Sequence, residues 1–232
     1  MLKEEFREQV ENLLSSVSVH ANGDGPNLCE AVYNASTNIL FWIEYLKKSE
    51  LTGCCDGFLD GLRSSIVETA GCLSLGLVRP AIFSIRGQID IILAWIYFKD
   101  HPVEWSNLQE KGENYMLKSG IVKYLEEFYI GYTTRFAALL SVKTRTEKDP
   151  YGVLSAHVHS QSQYVVPTYT SLDTLVMDVA ACEECVAFQA EATEWINDVL
   201  LSCVGSKWAS LPSEIVTAAQ VRLGSKSSKV FF

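Results

Sequence analysis

Two arginines, Arg79 and Arg86, interrupt the most apolar segment of the chain, residues 77–98. They are seven residues apart and share one face of a helix, and Asp90 follows Arg86 one turn later, within reach of an ion pair. A buried guanidinium group needs a carboxylate, a carbonyl, water or a bound anion, because an unpaired buried charge is costly. Either the arginines anchor neighbouring segments at the edge of the core, or Arg79 and Arg86 bind an anionic ligand or an RNA phosphate.

A second segment, residues 151–164, contains two of the four histidines of the chain, His157 and His159. On a helix, Tyr151 and His159 share one face and His157 lies on another, so the two imidazoles cannot meet at one ligand. In a strand they would have the H-x-H spacing of a metal site, but the pattern favours a helix without nearby acidic ligands. We therefore predict no metal site here.

Proton transfer beside a phosphate is the chemistry that these two segments would support if they meet in the fold, as we expect. A histidine titrates near neutral pH and can act as a general acid or base, while an arginine stabilises negative charge in the transition state. The candidate catalytic residues are His159, His157, Arg86 and Tyr151. The alternative is a histidine that forms hydrogen bonds inside a helical core.

The elements that must position these residues are helices. Apolar residues recur at helical spacing, and the one strand-like run, residues 164–169, is interrupted by Pro167. We predict an all-α protein, a multi-helix bundle of about seven to eight helices. The expected helices cover residues 2–19, 27–49, 53–75, 77–98, 119–143, 151–162, 172–204 and 212–223. The charged run 143–150 is predicted to be a solvated turn. Residues 1–223 are expected to form a single all-helical domain, and residues 224–232 a tail that is flexible or docks on a partner.

The composition excludes several classes of protein. The net charge of −9 and the pI near 5.0 argue against broad DNA binding, which depends on clustered lysine and arginine. The first residues show no apolar signal core, so we expect a cytoplasmic protein with reduced thiols. The longest uninterrupted apolar run, residues 91–98, has eight residues. About 20 are needed to cross a bilayer, so no membrane segment is expected.

Cys182 and Cys185 form a C-x-x-C pair within a predicted helix. A zinc site would need two more ligands at recognisable spacing, so we predict that both thiols pack in the core. The sequence contains no Walker A, G-x-G-x-x-G, G-x-S-x-G or H-E-x-x-H motif. No cofactor is expected.

The segment IRGQIDIILAWIYF, residues 85–98, together with YGVLSAHVHS, residues 151–160, resembles bacterial HEPN-like helical domains. In that family an arginine-plus-acidic helix recurs with a Tyr-x-x-Leu-Ser-x-x-x-His element, and the resemblance covers roughly residues 77–160. It implies a HEPN-like core, frequent dimerisation, and a place in toxin–antitoxin, stress or antiviral defence systems. Active members cleave RNA without a metal, using an arginine followed after four to six residues by a histidine. Here Arg145 precedes His157 with eleven residues between them, so that motif is not intact.

The leading hypothesis is a helical binding or regulatory subunit of a bacterial defence or stress-response assembly, acting through protein–protein contacts or self-association. Trp105, Trp195, Trp208 and residues 231–232 are candidate anchors for a partner. One alternative is a metal-independent HEPN-type ribonuclease that uses Arg86 and His159 on RNA. A further alternative is a sensor of an anionic small ligand.

Overall fold

The computed structural model describes residues 2–113, 115–227 and 231. These residues form eleven α-helices and two short 3₁₀ helices and include no strand, which confirms the all-α prediction. The α-helices are α1 (Leu2–Asn22), α2 (Gly25–Ala35), α3 (Thr37–Ser49), α4 (Gly57–Ser74), α5 (Val78–Phe98), α6 (Pro102–Lys111), α7 (Lys118–Phe128), α8 (Tyr132–Ser141), α9 (Tyr151–His159), α10 (Val179–Val204) and α11 (Ser213–Ser227). The 3₁₀ helices are Asp173–Leu175 and Gly205–Ser210.

The predicted count of about seven to eight helices is not confirmed, since two predicted helices are interrupted and one was not foreseen. The Ser36 hydroxyl donates to the Val32 carbonyl at 2.7 Å, and the chain passes from α2 to α3 at this residue. Gly131, with φ +77°, separates α7 from α8. Helix α6 begins at Pro102, a residue suited to the first turn of a helix.

The chain divides into two compact units. Unit 1 comprises Met1–Ser36, Ser64–Gly87 and Pro150–Ala192, and unit 2 comprises Thr37–Arg63, Gln88–Asp149 and Thr193–Phe232. Helices α4, α5 and α10 each contribute residues to both units. All the arginine, histidine and tyrosine candidates of the predicted site belong to unit 1.

Each unit has its own apolar core. In unit 1, Cys182 and Cys185 are buried, as predicted, together with Ile66, Leu73, Ile85 and Leu154. In unit 2, the buried core includes Trp42, Ile43, Trp95 and Phe98. The Trp42 indole N–H donates to Asn197 Oδ1 at 2.8 Å, so the largest core side chain of this unit has a partner for its polar atom.

Unit 2 also contains a cluster of two arginines and two carboxylates, which we call the ionic cluster: Arg145, Glu194, Asp198 and Arg222. Arg145 and Asp198 are buried, and Glu194 and Arg222 are half-buried. Arg145 Nη1 lies 2.6 Å from Asp198 Oδ2 and 3.0 Å from Glu194 Oε1, and Arg222 Nη1 donates to Asp198 Oδ1 at 2.8 Å. Burial alone would raise the pKa of Glu194, but hydrogen bonds from Thr144 and the two guanidinium charges lower it. The prediction of a solvated turn at residues 143–150 is therefore wrong for Arg145, whose two carboxylate partners lie in α10.

A second buried arginine of unit 2, Arg135, binds backbone oxygens. Its guanidinium group donates to the Ser202 carbonyl at 2.9 and 2.7 Å and to the Ile130 carbonyl at 2.8 Å. Two glycines leave room for this side chain, because a Cβ at Gly131 would lie 2.6 Å from Arg135 Nη1 and one at Gly205 would lie 2.5 Å from Arg135 Cδ. Arg135 thus links the end of α10 to the turn before α8.

The proposed anchor aromatics of unit 2 are mostly not exposed. Trp195, Trp208 and Phe231 are buried, and the rings of Trp208 and Phe231 are 5.2 Å apart. Trp105 is half-buried, and Phe232 lies outside the described residues. The expectation that Trp195, Trp208 and Phe231 offer an exposed surface to a partner is therefore wrong. Residues 228–230 of the predicted tail also lie outside the described chain.

Helix α5 is the one described helix that is long and apolar enough, by length and composition, to cross a membrane. In its most apolar window, 67% of the residues are buried inside the protein. This burial is typical of a core helix.

Candidate functional site

Helices α5 and α9 meet through Arg86, as the sequence predicted for these two segments. Arg86 Nε donates to Ser155 Oγ at 3.1 Å, and Arg86 Nη2 donates to the Tyr151 hydroxyl at 2.5 Å. The guanidinium carbon also lies 4.8 Å from the centre of the Tyr151 ring. Tyr151 and Ser155 are one turn apart on α9, so a single planar side chain binds both. For Arg86, the structure favours an anchor between two helices.

Arg79 has a different environment two turns earlier on α5. Its Nη2 donates to Ser160 Oγ at 3.3 Å, a long hydrogen bond, and its guanidinium carbon lies 5.2 Å from the centre of the Phe83 ring. Within the described chain, Arg79 forms no ion pair with a carboxylate, whereas Arg63, Arg145 and Arg222 all do. Most of its N–H donors are therefore available to a ligand.

The sequence also suggested that Arg79 and Arg86 are both buried, and the structure corrects this. Both side chains are half-buried, and the buried arginines of the described chain are Arg135 and Arg145. Both lie on a helix of mostly apolar residues, a setting in which an arginine buries its aliphatic stem and keeps its charged end accessible.

Arg79 lines a cavity of about 420 Å³ in unit 1, which we call the Arg79 cavity. Helices α5 and α10 each contribute several side chains, and α9 contributes one. Residues 164–169, Thr174 and Met177 complete the lining. The lining residues are Val78, Arg79, Ile82, His157, Tyr164, Val165, Val166, Pro167, Thr168, Tyr169, Thr174, Met177, Ala181, Glu184, Cys185 and Phe188. A volume of this order is typical of pockets for small ligands.

His157 is the histidine that the fold brings to this cavity. Its ring packs edge-on against Phe188, with 5.8 Å between ring centres. Burial lowers the pKa of His157 below the ordinary value of 6.5; the Glu184 carboxylate acts to raise it and the Arg79 guanidinium to lower it. His157 is therefore neutral at pH 7 and offers one hydrogen-bond donor and one acceptor.

The other predicted site residues are placed separately. His159 is exposed at the end of α9, and Ser160, with φ +50°, ends that helix. The Tyr151 hydroxyl accepts a hydrogen bond from Arg86. The structure thus brings together Arg79 and His157 at the cavity, and Arg86 with Tyr151 at the α5–α9 junction. No group of three or more His, Cys, Asp or Glu side chains among the described residues is placed to hold a metal ion.

Several cavity residues were not recognised in the sequence. Met177, Glu184 and Phe188 fall within the predicted helix 172–204, and residues 164–169 are the strand-like run that Pro167 interrupts. One signal was present: residues 165–167 are an apolar tripeptide, Val-Val-Pro, with Tyr164 directly before it and Tyr169 two residues after it, which is unusual for a solvated loop. It indicates a loop that covers apolar surface.

Lowering the pH below 6.5 is expected to reduce the stability of the protein through His157. Because the folded pKa is lowered, the unfolded imidazole binds a proton at a pH where the folded one does not. The free energy of unfolding then falls as the pH drops from about 6.5 through the folded pKa, and His157 contributes no slope above that window.

Urea unfolding between pH 7.5 and 5 measures this effect. His157→Gln should reduce the slope of the free energy of unfolding against pH in that window. His159→Gln, at an exposed position of the same helix, should leave this slope unchanged. An identical slope in wild type and His157→Gln would show that His157 does not cause the pH dependence of the stability.

Comparison of this chain with protein-family models, with curated proteins and with solved structures found no match to any of them.

Proposed function

We propose that this protein is a helical binding protein that senses a small anionic ligand in the Arg79 cavity, as the ligand-responsive part of a regulatory subunit. The observation that carries the proposal is Arg79 itself: a half-buried guanidinium group, without a carboxylate partner in the described chain, at the edge of a cavity of about 420 Å³. A bound anion would complete its hydrogen bonding.

The same geometry favours binding over catalysis. The arginine nearest before His157 in sequence is Arg145, and its side chain has 0% exposure and is paired with Glu194 and Asp198. It is not available to a substrate. His159 is exposed at the end of α9, while Arg86 is bonded to Tyr151 and Ser155. Neither Arg86 nor His159, the proposed ribonuclease pair, lines the Arg79 cavity.

The regulatory role in a bacterial stress or defence assembly rests on the resemblance of residues 85–98 and 151–160 to HEPN-like domains. Arg86, Tyr151 and Ser155, which carry much of that resemblance, form the junction between α5 and α9. Ligand binding beside this junction would be a direct way to bias a partner-binding state, because ligands act on the conformation that they bind more tightly.

Thermal unfolding, followed by the fluorescence of the five tryptophans, tests the proposal. Inorganic phosphate, AMP and benzoate are added singly at constant ionic strength to wild type, Arg79→Met and Arg7→Met. We expect at least one anion to raise the Tm of wild type and of Arg7→Met, an exposed control, but not of Arg79→Met.

Two results would overturn the proposal. One is an equal Tm increase in wild type and Arg79→Met. The other is cleavage of labelled RNA in the presence of a chelator that is lost in His157→Ala or His159→Ala, which would establish the ribonuclease alternative instead.

A further inference from the structure

The walls of the Arg79 cavity are predominantly apolar. Val78 and Ile82 of α5 and Ala181 and Phe188 of α10 line it, and residues 165–167 of the loop add further apolar side chains. A ligand that fills this space displaces water from apolar surface only if most of its own surface is apolar.

Charged groups occupy two positions in the same lining. Arg79 is its one arginine or lysine, and Glu184 is its one carboxylate. His157 is neutral at pH 7 because burial lowers its pKa. A single carboxylate or sulfonate would form a two-pronged contact with the Arg79 guanidinium group. A doubly charged phosphate monoester would have only one cation to pair with, and Glu184 would repel its two charges more strongly than the single charge of a carboxylate or sulfonate.

We infer that the ligand of the Arg79 cavity is an amphipathic monoanion, a carboxylate or sulfonate on an aromatic or short acyl body. The anionic head binds Arg79, and the apolar body lies against Ile82 and Phe188. This inference rests on the proposed function and narrows it, since it excludes nucleotides and inorganic phosphate as the cognate class.

The loop 164–169 is consistent with such an occupant. Tyr164 is 88% exposed and lines the cavity together with Val165 and Pro167. A ring or acyl chain entering beside the loop would meet apolar groups from the loop and from both helices. Aromatic side chains at the entrance of a pocket contribute contact area at a low entropic cost.

A matched pair of fluorescent probes tests the inference. The two probes are 8-anilinonaphthalene-1-sulfonate and N-phenyl-1-naphthylamine, which share the same rings and differ by the sulfonate. We expect the wild type to bind the sulfonate probe at least about tenfold more tightly than the neutral one, as one charge-assisted contact predicts. Benzoate and octanoate should displace the sulfonate probe, and inorganic phosphate at equal ionic strength should not.

The variants separate charge from shape. Arg79→Met should weaken binding of the sulfonate probe about tenfold and leave the neutral probe unchanged, and Arg7→Met should leave both unchanged. Arg79→Lys retains the charge and should keep the preference for the sulfonate. Ala181→Phe should weaken the binding of both probes, because the larger side chain fills the cavity. Near-ultraviolet circular dichroism of each variant shows whether the tertiary packing is retained.

The outcomes distinguish this inference from the function on which it rests. If phosphate or AMP bound in an Arg79-dependent way and benzoate and octanoate did not, the inference of an amphipathic ligand would be wrong. The proposal of an anion sensor would still hold. Equal binding of both probes, unaffected by Arg79→Met, together with no Arg79-dependent binding of phosphate, AMP, benzoate or octanoate, would overturn both.

Discussion

Replacing Asp198 with asparagine is expected to lower the free energy of unfolding by about 3 to 5 kcal/mol, the usual cost of removing one member of a buried ion pair. The Asp198 and Arg145 side chains both have 0% exposure, and Asp198 accepts hydrogen bonds from Arg145 and Arg222. Asparagine has nearly the same shape but presents an amide donor to guanidinium donors. It would leave Glu194 as the one carboxylate for the two guanidinium groups of the ionic cluster.

Urea unfolding at pH 7, followed by far-ultraviolet circular dichroism, measures this loss. Lys47→Met is the matched control, because Lys47 pairs with Asp60 at 2.5 Å and both side chains are largely exposed. That pair should contribute at most about 1 kcal/mol. If Asp198→Asn shifted the midpoint no more than Lys47→Met, the ionic cluster would not have the structural role that we assign to it.

Gly76→Ala is expected to lower the free energy of unfolding by about 2 to 4 kcal/mol. Alanine is unfavourable in the left-handed backbone conformation of this position, and its Cβ would overpack the surroundings. Gly76 has φ +76°, and a Cβ there would lie 2.6 Å from Val176 Cγ1 and 3.4 Å from the His20 ring. The Gly76 carbonyl also accepts the Met177 N–H at 2.9 Å. Because Met177 lines the Arg79 cavity, the displacement should also weaken binding of the sulfonate probe.

The control for this substitution is Gly71→Ala in the same unit. Gly71 lies on the exposed face of α4, and a Cβ there would have no neighbour within 4 Å. Alanine at this site should raise the stability by about 0.5 to 1 kcal/mol, since it favours the helix. A destabilisation of equal size in both variants would mean that the positive φ and the contact with Val176 are unimportant.

The helical class was predictable from the sequence, because the spacing of apolar residues along a helix is a local property. Apolar periodicity marks the helices, and the seven-residue spacing of Arg79 and Arg86 places both on one face. The one-turn spacing of Tyr151 and Ser155 on α9 matches the reach of a single guanidinium group. The contact of α5 with α9 joins residues 65 and 69 positions apart, so it was expected from the resemblance of the two segments to HEPN-like domains and not from their spacing.

The environment of Arg145 and the lining of the cavity could not be predicted in this way. The carboxylate partners of Arg145 come 49 and 53 residues later in the chain, and the local sequence around Arg145 is typical of an exposed turn. Likewise, Glu184 and Phe188 become cavity residues only through the packing of α10 beside α5 and α9 within unit 1. Long-range pairing of this kind leaves no periodic signal.

The close packing of Arg135 against two glycines constrains how this sequence can change over generations. Alanine at position 205 collides with the arginine stem, so that exchange becomes tolerable only in a lineage where Arg135 has already been replaced by something smaller. Position 131 differs, because its φ of +77° disfavours other side chains regardless of Arg135. Substitutions at positions 135 and 205 should therefore occur in a fixed order, while position 131 stays glycine throughout.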